Sequence, residues 1–369
     1  MPEVIIVDAD YETLYEKLRP FLCNVLHNID ASQLLLKPNL LAGARPEKAV
    51  CTHPVFVRDI VRIIEEYGKK VVVSDNPGVS GYGSSIKAAK DSGYLEIIGE
   101  RFQNPAVSPR RVKVQSRFTD SFVVSGNILH AEYVINLPKF KTHSLTLFSG
   151  AIKNMFGILI GGEKARAHSL GKSRDEFAEI LIDIYNIRKP ELTIMDAVWG
   201  MEGSGPSNGI LRKINKIIIS DDGFAVDAIC AKMMGIEPTE IPYLKVASER
   251  GLIEFEKIKI NGEITVLKKF KLPPTFSSAK SIGKRFIGFV NSFIFEHFIK
   301  GPARLKLSKD KCTKCYVCMR QCPAKAISKD KEDFPEIDKN KCIGCYCCDE
   351  LCPENAWRIK GIMRLIERE

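Results

Sequence analysis

Val71-Val72-Val73-Ser74-Asp75-Asn76-Pro77-Gly78 reads as a strand that stops abruptly in turn residues, and it lies between two segments of helical period, Pro54 to Tyr67 and Ser84 to Ser92. β-Branched side chains suit a pleated surface, whereas Asp, Asn, Pro and Gly each favour a turn for a separate steric or hydrogen-bonding reason. The unit recurs outward in both directions. Strands are expected at Val4 to Val7, Leu34 to Leu36, Tyr133 to Leu137, Leu192 to Met195 and Ile217 to Ser220, with further helices at Arg174 to Ile187 and Phe224 to Met234. Apolar runs alternating with helical segments are the pattern of an α/β domain on a largely parallel sheet. The pattern holds to about residue 256, so residues 1–256 are read as one α/β domain.

Five strands run straight into polar segments: Lys37-Pro38-Asn39, Asp75-Asn76-Pro77-Gly78, Pro138-Lys139-Phe140-Lys141-Thr142-His143, Asp196 and Asp221-Asp222-Gly223. In an open parallel sheet the carboxyl ends of the strands share one edge, where ligands bind, so these segments are expected to meet in one site. Turns and helix caps are the plainer reading of any single one. Between Lys139 and His168 stand Lys139, Lys141, Lys153, Lys164 and Arg166, with His143 and His168, against one acid, Glu163. That field favours a carboxylate or phosphate ligand, and the small-residue turns Ser149 to Asn154 and Gly161 to Lys164 offer backbone amides for it. Lys37, Asn39, Asp75, Lys139, Lys141 and Asn154 are the candidate substrate-binding residues. His143, His168 and Lys153 are the candidate catalytic residues, with Asp75, Asp196 or Asp222 to orient the histidines. Two His 25 residues apart have no diagnostic metal spacing, and neither a Walker loop nor G-x-G-x-x-G is present.

Twelve cysteines in a chain expected to be cytoplasmic point to metal rather than disulfides. Eight form two copies of C-x2-C-x2-C-x3-C-P, namely Cys312, Cys315, Cys318, Cys322-Pro323 and Cys342, Cys345, Cys348, Cys352-Pro353. In this run three thiolates wrap one cubane and the fourth reaches the other. One [4Fe–4S] cluster should take Cys312, Cys315, Cys318 and Cys352, and the second Cys342, Cys345, Cys348 and Cys322. Zinc is the alternative for any single C-x2-C pair, and the complete second copy argues against it. Cys347 has no counterpart, since Val317 occupies its place; a small buried residue is its plain reading, a spare ligand or redox thiol the other. Cys23, Cys51 and Cys230 read as core residues. Residues 303–369 are thus expected to be a small α+β ferredoxin-like 2[4Fe–4S] domain.

The net charge of +10 is unevenly spread: residues 1–256 hold 31 basic and 32 acidic side chains, 257–300 nine and two, and 301–369 fifteen and eleven. Four thiolates on an oxidised cubane leave about −2 per cluster, which brings the loaded tail close to neutral. A nucleic-acid partner is therefore not expected. Residues 257–302 read as a basic connector with seven Phe between 270 and 298. Such a segment either packs between domains or, through 268–300, rests on an anionic membrane or a redox partner. The amino terminus lacks a basic n-region and no apolar run reaches the roughly 18 residues of a spanning helix, so a cytoplasmic protein is expected.

Lys37-Pro38-Asn39-Leu40, Ser74 to Gly78, Asn136 to Ser144, Gly150 to Gly157 and His168 together resemble the domain of unknown function 362 family over residues 1–255. Residues 303–365 resemble the bacterial-type 2[4Fe–4S] ferredoxins. Many members of the first family carry the same ferredoxin-like tail, so the resemblance implies this architecture and ligand surface and supplies no reaction. Two functions follow from the residues. One is an iron–sulfur oxidoreductase, a reductase, in which a redox partner or soluble electron donor feeds a small anionic substrate. The other is a non-enzymatic electron carrier or assembly factor serving a protein partner.

Overall fold

The structure, a computed structural model, describes residues 1–78, 84–276 and 305–359. Eleven strands build the larger unit: β1 (Glu3–Asp8), β2 (Gln33–Pro38), β3 (Lys70–Val73), β4 (Pro109–Lys113), β5 (Ser121–Ser125), β6 (Tyr133–Leu137), β7 (Lys139–His143), β8 (Leu147–Phe148), β9 (Leu192–Glu202), β10 (Ile210–Ser220) and β11 (Lys259–Asn261). The central sheet runs β11-β1-β10-β9-β6-β2-β3, with β7 added on β9 and β8 on β7. Pairings β2–β3, β2–β6, β6–β9, β7–β9 and β1–β11 are parallel. Strands β1, β2, β3, β6, β9 and β10 sit where β-branched and aliphatic runs predict them, β4, β5, β7, β8 and β11 are additional, and both sheet faces are covered. Leu34 and Leu36 enter one core while Leu35 enters the other, and Val71 and Val73 separate from Val72 in the same way. This alternation is what a sheet buried on both faces demands.

Helix Leu14–His27, absent from the sequence expectations, buries Leu14, Leu18, Leu22 and Leu26, one residue per turn on one stripe. Helix Arg174–Ile187 starts at Ser173, whose side chain accepts the Glu176 N–H.

One strand runs against expectation. β10 is antiparallel to β9, with Ile217 opposite Asp196 and Ser220 opposite Thr193. Asp221-Asp222-Gly223 therefore leaves the sheet at the edge opposite Lys37, Asp75 and Asp196, where Ser220 Oγ donates to the Glu3 carbonyl at 2.6 Å. Asp222 caps helix Gly223–Met233 by accepting from Phe224 N and Ala225 N, at 2.7 and 3.1 Å. It orients neither histidine.

The α/β unit also extends past residue 256. β11 pairs with β1, and Leu267, Phe270, Leu272 and Phe276 pack on the core. The rest of the connector lies outside the described residues, and most of the membrane contact expected of 268–300 falls there. Among the described residues no helix is long and apolar enough to cross a membrane.

The tail is built twice, each part repeated after thirty residues. Leu305–Leu307 corresponds to Pro335–Ile337, helix Val317–Arg320 to Cys347–Glu350, and Ile327–Lys329 to Trp357–Ile359. The strands pair across the repeat: Leu305–Leu307 with Trp357–Ile359, and Ile327–Lys329 with Pro335–Ile337. Positive φ recurs at the same places, Lys314 and Gly344, Tyr316 and Tyr346, Lys325 and Asn355, so the two cysteine loops turn alike.

Candidate functional site

Each half of the tail encloses a small cavity. One is lined by Cys312, Cys315, Cys318 and Cys352, and the other by Cys342, Cys345, Cys348 and Cys322. In each set the fourth cysteine comes from the opposite copy. The backbone N–H of Ala326 donates to Cys322 Sγ at 3.2 Å and that of Ala356 to Cys352 Sγ at 3.3 Å. Trp357 and Ile327 supply apolar surroundings beside buried Cys318 and Cys348. Burial pushes the thiols of Cys318, Cys342 and Cys348 up, so thiolates there need positive charge beside them, which iron provides. Donor type, number and surroundings fit [4Fe–4S] clusters.

A larger cavity, of about 350 Å³, opens between the tail and the carboxyl edge of the sheet. It falls within the roughly 300–1,000 Å³ of small-molecule sites. Asn39 after β2, Asp75 and Asn76 after β3, His143 at the end of β7, and Lys153, Lys164 and His168 face it from the α/β domain. Gln321, Cys347, Glu350 and Leu351 close it from the tail. Two hydrogen bonds dock the tail on the turn between β9 and β10. Ser207 Oγ donates to the Glu350 carbonyl at 2.8 Å and Asn208 Nδ2 to the Asp349 carbonyl at 3.2 Å.

His143 is buried, and its Nδ1 accepts the N–H groups of Leu145 and Thr146 at 3.1 and 3.4 Å. That pattern assigns the ring proton to Nε2. Nε2 lies 3.1 Å from Glu350 Oε1. The approach is too oblique to count as a hydrogen bond, and among the described residues Glu350 Oε1 is left without one. Burial, and then Lys153 and Lys141, hold His143 well below its usual pKa, so it is neutral. Burial raises Glu350 to about 7, with Lys153 and Lys141 pulling the other way.

His168 stacks on Phe177 with ring centres 4.5 Å apart. Its Nδ1 is buried without a hydrogen-bond partner among the described residues, and burial keeps the ring neutral. The Lys153 ammonium lies 4.4 Å from the Phe156 ring centre, a cation–π contact. Lys164 donates to the carbonyls of Asn76 and Pro77, and burial lowers it to about 7. His168, Glu350 and Lys153 thus all line one space, and the first two each carry a buried polar atom without a hydrogen-bond partner among the described residues, an exception to the usual pairing of buried polar groups.

Other sequence candidates hold the walls together. Lys37 Nζ donates to Asp75 Oδ1 and to the Asn154 carbonyl, both at 2.7 Å, while Asp75 Oδ2 accepts from Leu40 N at 2.7 Å. Asn39, Asn154 and Asn136 form a chain of side-chain hydrogen bonds at 2.9 and 2.7 Å. Lys139 and Lys141, expected on the ligand, are fully buried and do not line the cavity. Lys139 Nζ ends on Asp196 Oδ2 at 2.7 Å and Tyr11 OH at 3.0 Å, and Lys141 Nζ on Asn39 Oδ1 at 2.7 Å. Asp75, Asp196 and Asp222, expected to orient the histidines, bond elsewhere; His143 is held through Nδ1 by the N–H groups of Leu145 and Thr146, and the carboxylate nearest its Nε2 is Glu350, from the tail. Asp227, also unforeseen, accepts from Ala151 N and Ile152 N at 2.6 and 3.1 Å, anchoring the helix Ala151–Asn154 that carries Lys153. Comparing the two cysteine copies position by position would have exposed Glu350, which faces Arg320 in the repeat as Cys347 faces Val317.

Residues 34–232, more than half of the chain, match the Domain of unknown function (DUF362) family. The chain belongs to the DUF362 family. Residues 304–354 match the 4Fe-4S dicluster domain, and its role is iron–sulfur electron transfer. The DUF362 protein is 32% identical over 223 residues to the thylakoid-associated protein sll1697 of Synechocystis sp., covering 60% of this chain and 68% of that relative. Among solved structures, it is similar to the lactate racemase apoprotein of Thermoanaerobacterium thermosaccharolyticum, with a TM-score of 0.42, 11% identity and 64% of this chain covered. A Thermotoga maritima protein gives a TM-score of 0.39 at 13% identity over 62% of this chain. This chain spans 57% and 61% of those two proteins.

Proposed function

We propose that this chain is a ferredoxin-coupled reductase that binds a small anionic substrate in the cavity between its domains. One observation carries the reading: helix Cys347–Glu350 bears the cluster ligand Cys348 and also forms a wall of that cavity. Two [4Fe–4S] clusters, when bound, supply two electrons singly, which together reduce a two-electron acceptor. Lys153 and Lys164 attract the anion, and Asp227 fixes the helix from which Lys153 projects. The Nε2–H of His143 stands at the cavity beside Glu350, a proton within reach of a bound substrate. Leu40, Leu41, Phe156 and Leu351 limit water there. The electrons come from a low-potential donor protein; the near-balanced charge of the α/β domain offers nucleic acid no surface.

The test is an anaerobic titration. The intact protein is reduced chemically and mixed with small carboxylates and phosphates while the cluster absorbance is followed. Reoxidation by a small acceptor, lost in the Lys153→Ala, Lys164→Ala double variant, supports the reductase. Affinity should also fall as pH rises through about 7, where Lys164 gives up its proton. Reoxidation only by added protein, unchanged in the variant, would replace this reading with an electron carrier.

A further inference from the structure

The duplication of the tail lets one half serve as a control for the other. Each cysteine set lies beneath a two-stranded sheet, with Leu307 and Trp357 lining the first cavity and Ile327 and Ile337 the second. Neighbours in a strand point to opposite faces, so the residue beside each of these points outward. Lys306 stands opposite Arg358 on the first sheet, and at the duplicated positions of the second Glu336 stands opposite Ser328. All four are exposed. Like charges directly opposite each other destabilise a strand pair, and among the described residues neither Lys306 nor Arg358 has an ion-pair partner. The two cations are not needed to neutralise a cluster, since the second cysteine set, with the same four thiolates, lies under Ser328 and Glu336.

The two sets also differ in what they face. Cys315 is exposed, whereas its counterpart Cys345 is not. The first cavity shares no lining residue with the large cavity, and the second shares Cys347. We propose that Lys306, Lys311 and Arg358 form the landing surface of a small acidic electron-transfer protein, which delivers electrons to the first cysteine set while the second passes them to the cavity. This deepens the reductase reading, whose two clusters it needs, by naming where the donor binds. Lys311 adjoins Cys312 and is exposed and without an ion pair among the described residues, while its counterpart Lys341 lies 3.5 Å from Asp338. The acids close by are few: Asp310 feels both Arg358 and Lys311 but accepts a hydrogen bond from Ser308 Oγ, and Glu354 lines the first cavity. Each encounter moves one electron from the reduced donor protein to the oxidised first centre, with no bond made or broken. An acidic rim on the donor, set against these cations, speeds the encounter and fixes its orientation. A lipid surface offers the same charge but no electron for the exposed cysteine set.

The test uses the intact, iron-loaded protein and, as probe, an acidic [2Fe–2S] ferredoxin. Calorimetry gives the affinity of the oxidised probe, and stopped-flow absorbance the rate at which the dithionite-reduced probe reduces the clusters. The Lys306→Glu, Arg358→Glu double variant should weaken binding and slow reduction roughly tenfold or more at low salt, and flatten the salt dependence of the rate. Lys306→Gln with Arg358→Gln should fall between that variant and the native chain. Lys268→Glu with Lys269→Glu, at the exposed start of the basic connector, should match the native chain. Equal losses in the connector variant, native affinity in both variants of the sheet pair, or no salt-sensitive binding by the native chain would overturn the proposal. A sheet-pair loss confined to binding of phosphatidylglycerol vesicles would overturn it in favour of a membrane surface. Iron at about eight per chain in every variant keeps these outcomes apart from failure of the two-cluster reading. Where the Glu pair fails to load iron, the Gln pair decides. Reoxidation of the clusters by small acceptors tests the reductase reading by itself.

Discussion

Lys37 carries its ammonium into the interior, ends on Asp75 and the Asn154 carbonyl, and ties together the segments that follow β2 and β3 with the helix bearing Lys153. Gly157 lies so close that a Cβ there would meet Asp75 Oδ1 at 2.4 Å and Lys37 Nζ at 2.7 Å. Lys37→Met leaves a buried carboxylate uncompensated, and removing one partner of a buried pair costs about 3–5 kcal/mol. Chemical denaturation should show a loss of that size, with part recovered in the Lys37→Met, Asp75→Leu double variant; a loss below about 1 kcal/mol, the value of an exposed pair, would show that the pair is solvated. The sequence makes the density of positive charge legible here, but not its burial. Lys139 meets an acid 57 residues away and Lys141 an amide 102 residues away. Nothing local distinguishes those lysines from Lys153, which keeps its ammonium on the cavity side.

Among elements, strands β1, β2, β3, β6 and β9 and the helix Arg174–Ile187 were legible because β-branched runs and helical period are local signals. The direction of β10 was not, since an apolar strand reads alike in either sense and only its long antiparallel pairing with β9 decides. β7 also escaped, because Lys-Phe-Lys-Thr-His has too many charges for a strand until its lysines find buried partners. The turn between β9 and β10 does more than reverse the chain, for Ser207 and Asn208 hold the backbone of Asp349 and Glu350. Ser207→Ala with Asn208→Ala should weaken anion binding several-fold, read by calorimetry, while iron content stays unchanged. Unchanged affinity would mean that these two side chains do not seat the tail.

At the scale of the molecule, the division into an α/β domain and a cysteine-rich tail was plain from periodicity and from the C-x2-C-x2-C-x3-C-P repeats. Their mutual placement was hidden, since Glu350 and His143 approach each other across most of the chain. The intact anaerobic protein should hold about eight irons with matching sulfide, two cubanes of four. Four irons per chain would leave one cysteine set without its cluster.

The shared wall has a consequence for the life of the protein in a cell. Helix Cys347–Glu350 contains Cys348 and is followed closely by Cys352, the expected ligands of the two clusters, so iron bound there would also shape the pocket. If the cavity binds a metabolite as proposed, oxygen or iron starvation should erase that recognition first, while the α/β domain, with its own two cores, remains folded. On the proposed reductase reading, affinity for the substrate would be a gauge of cofactor supply: a chain made without iron would circulate intact and blind, and would sequester none of the metabolite it could not reduce.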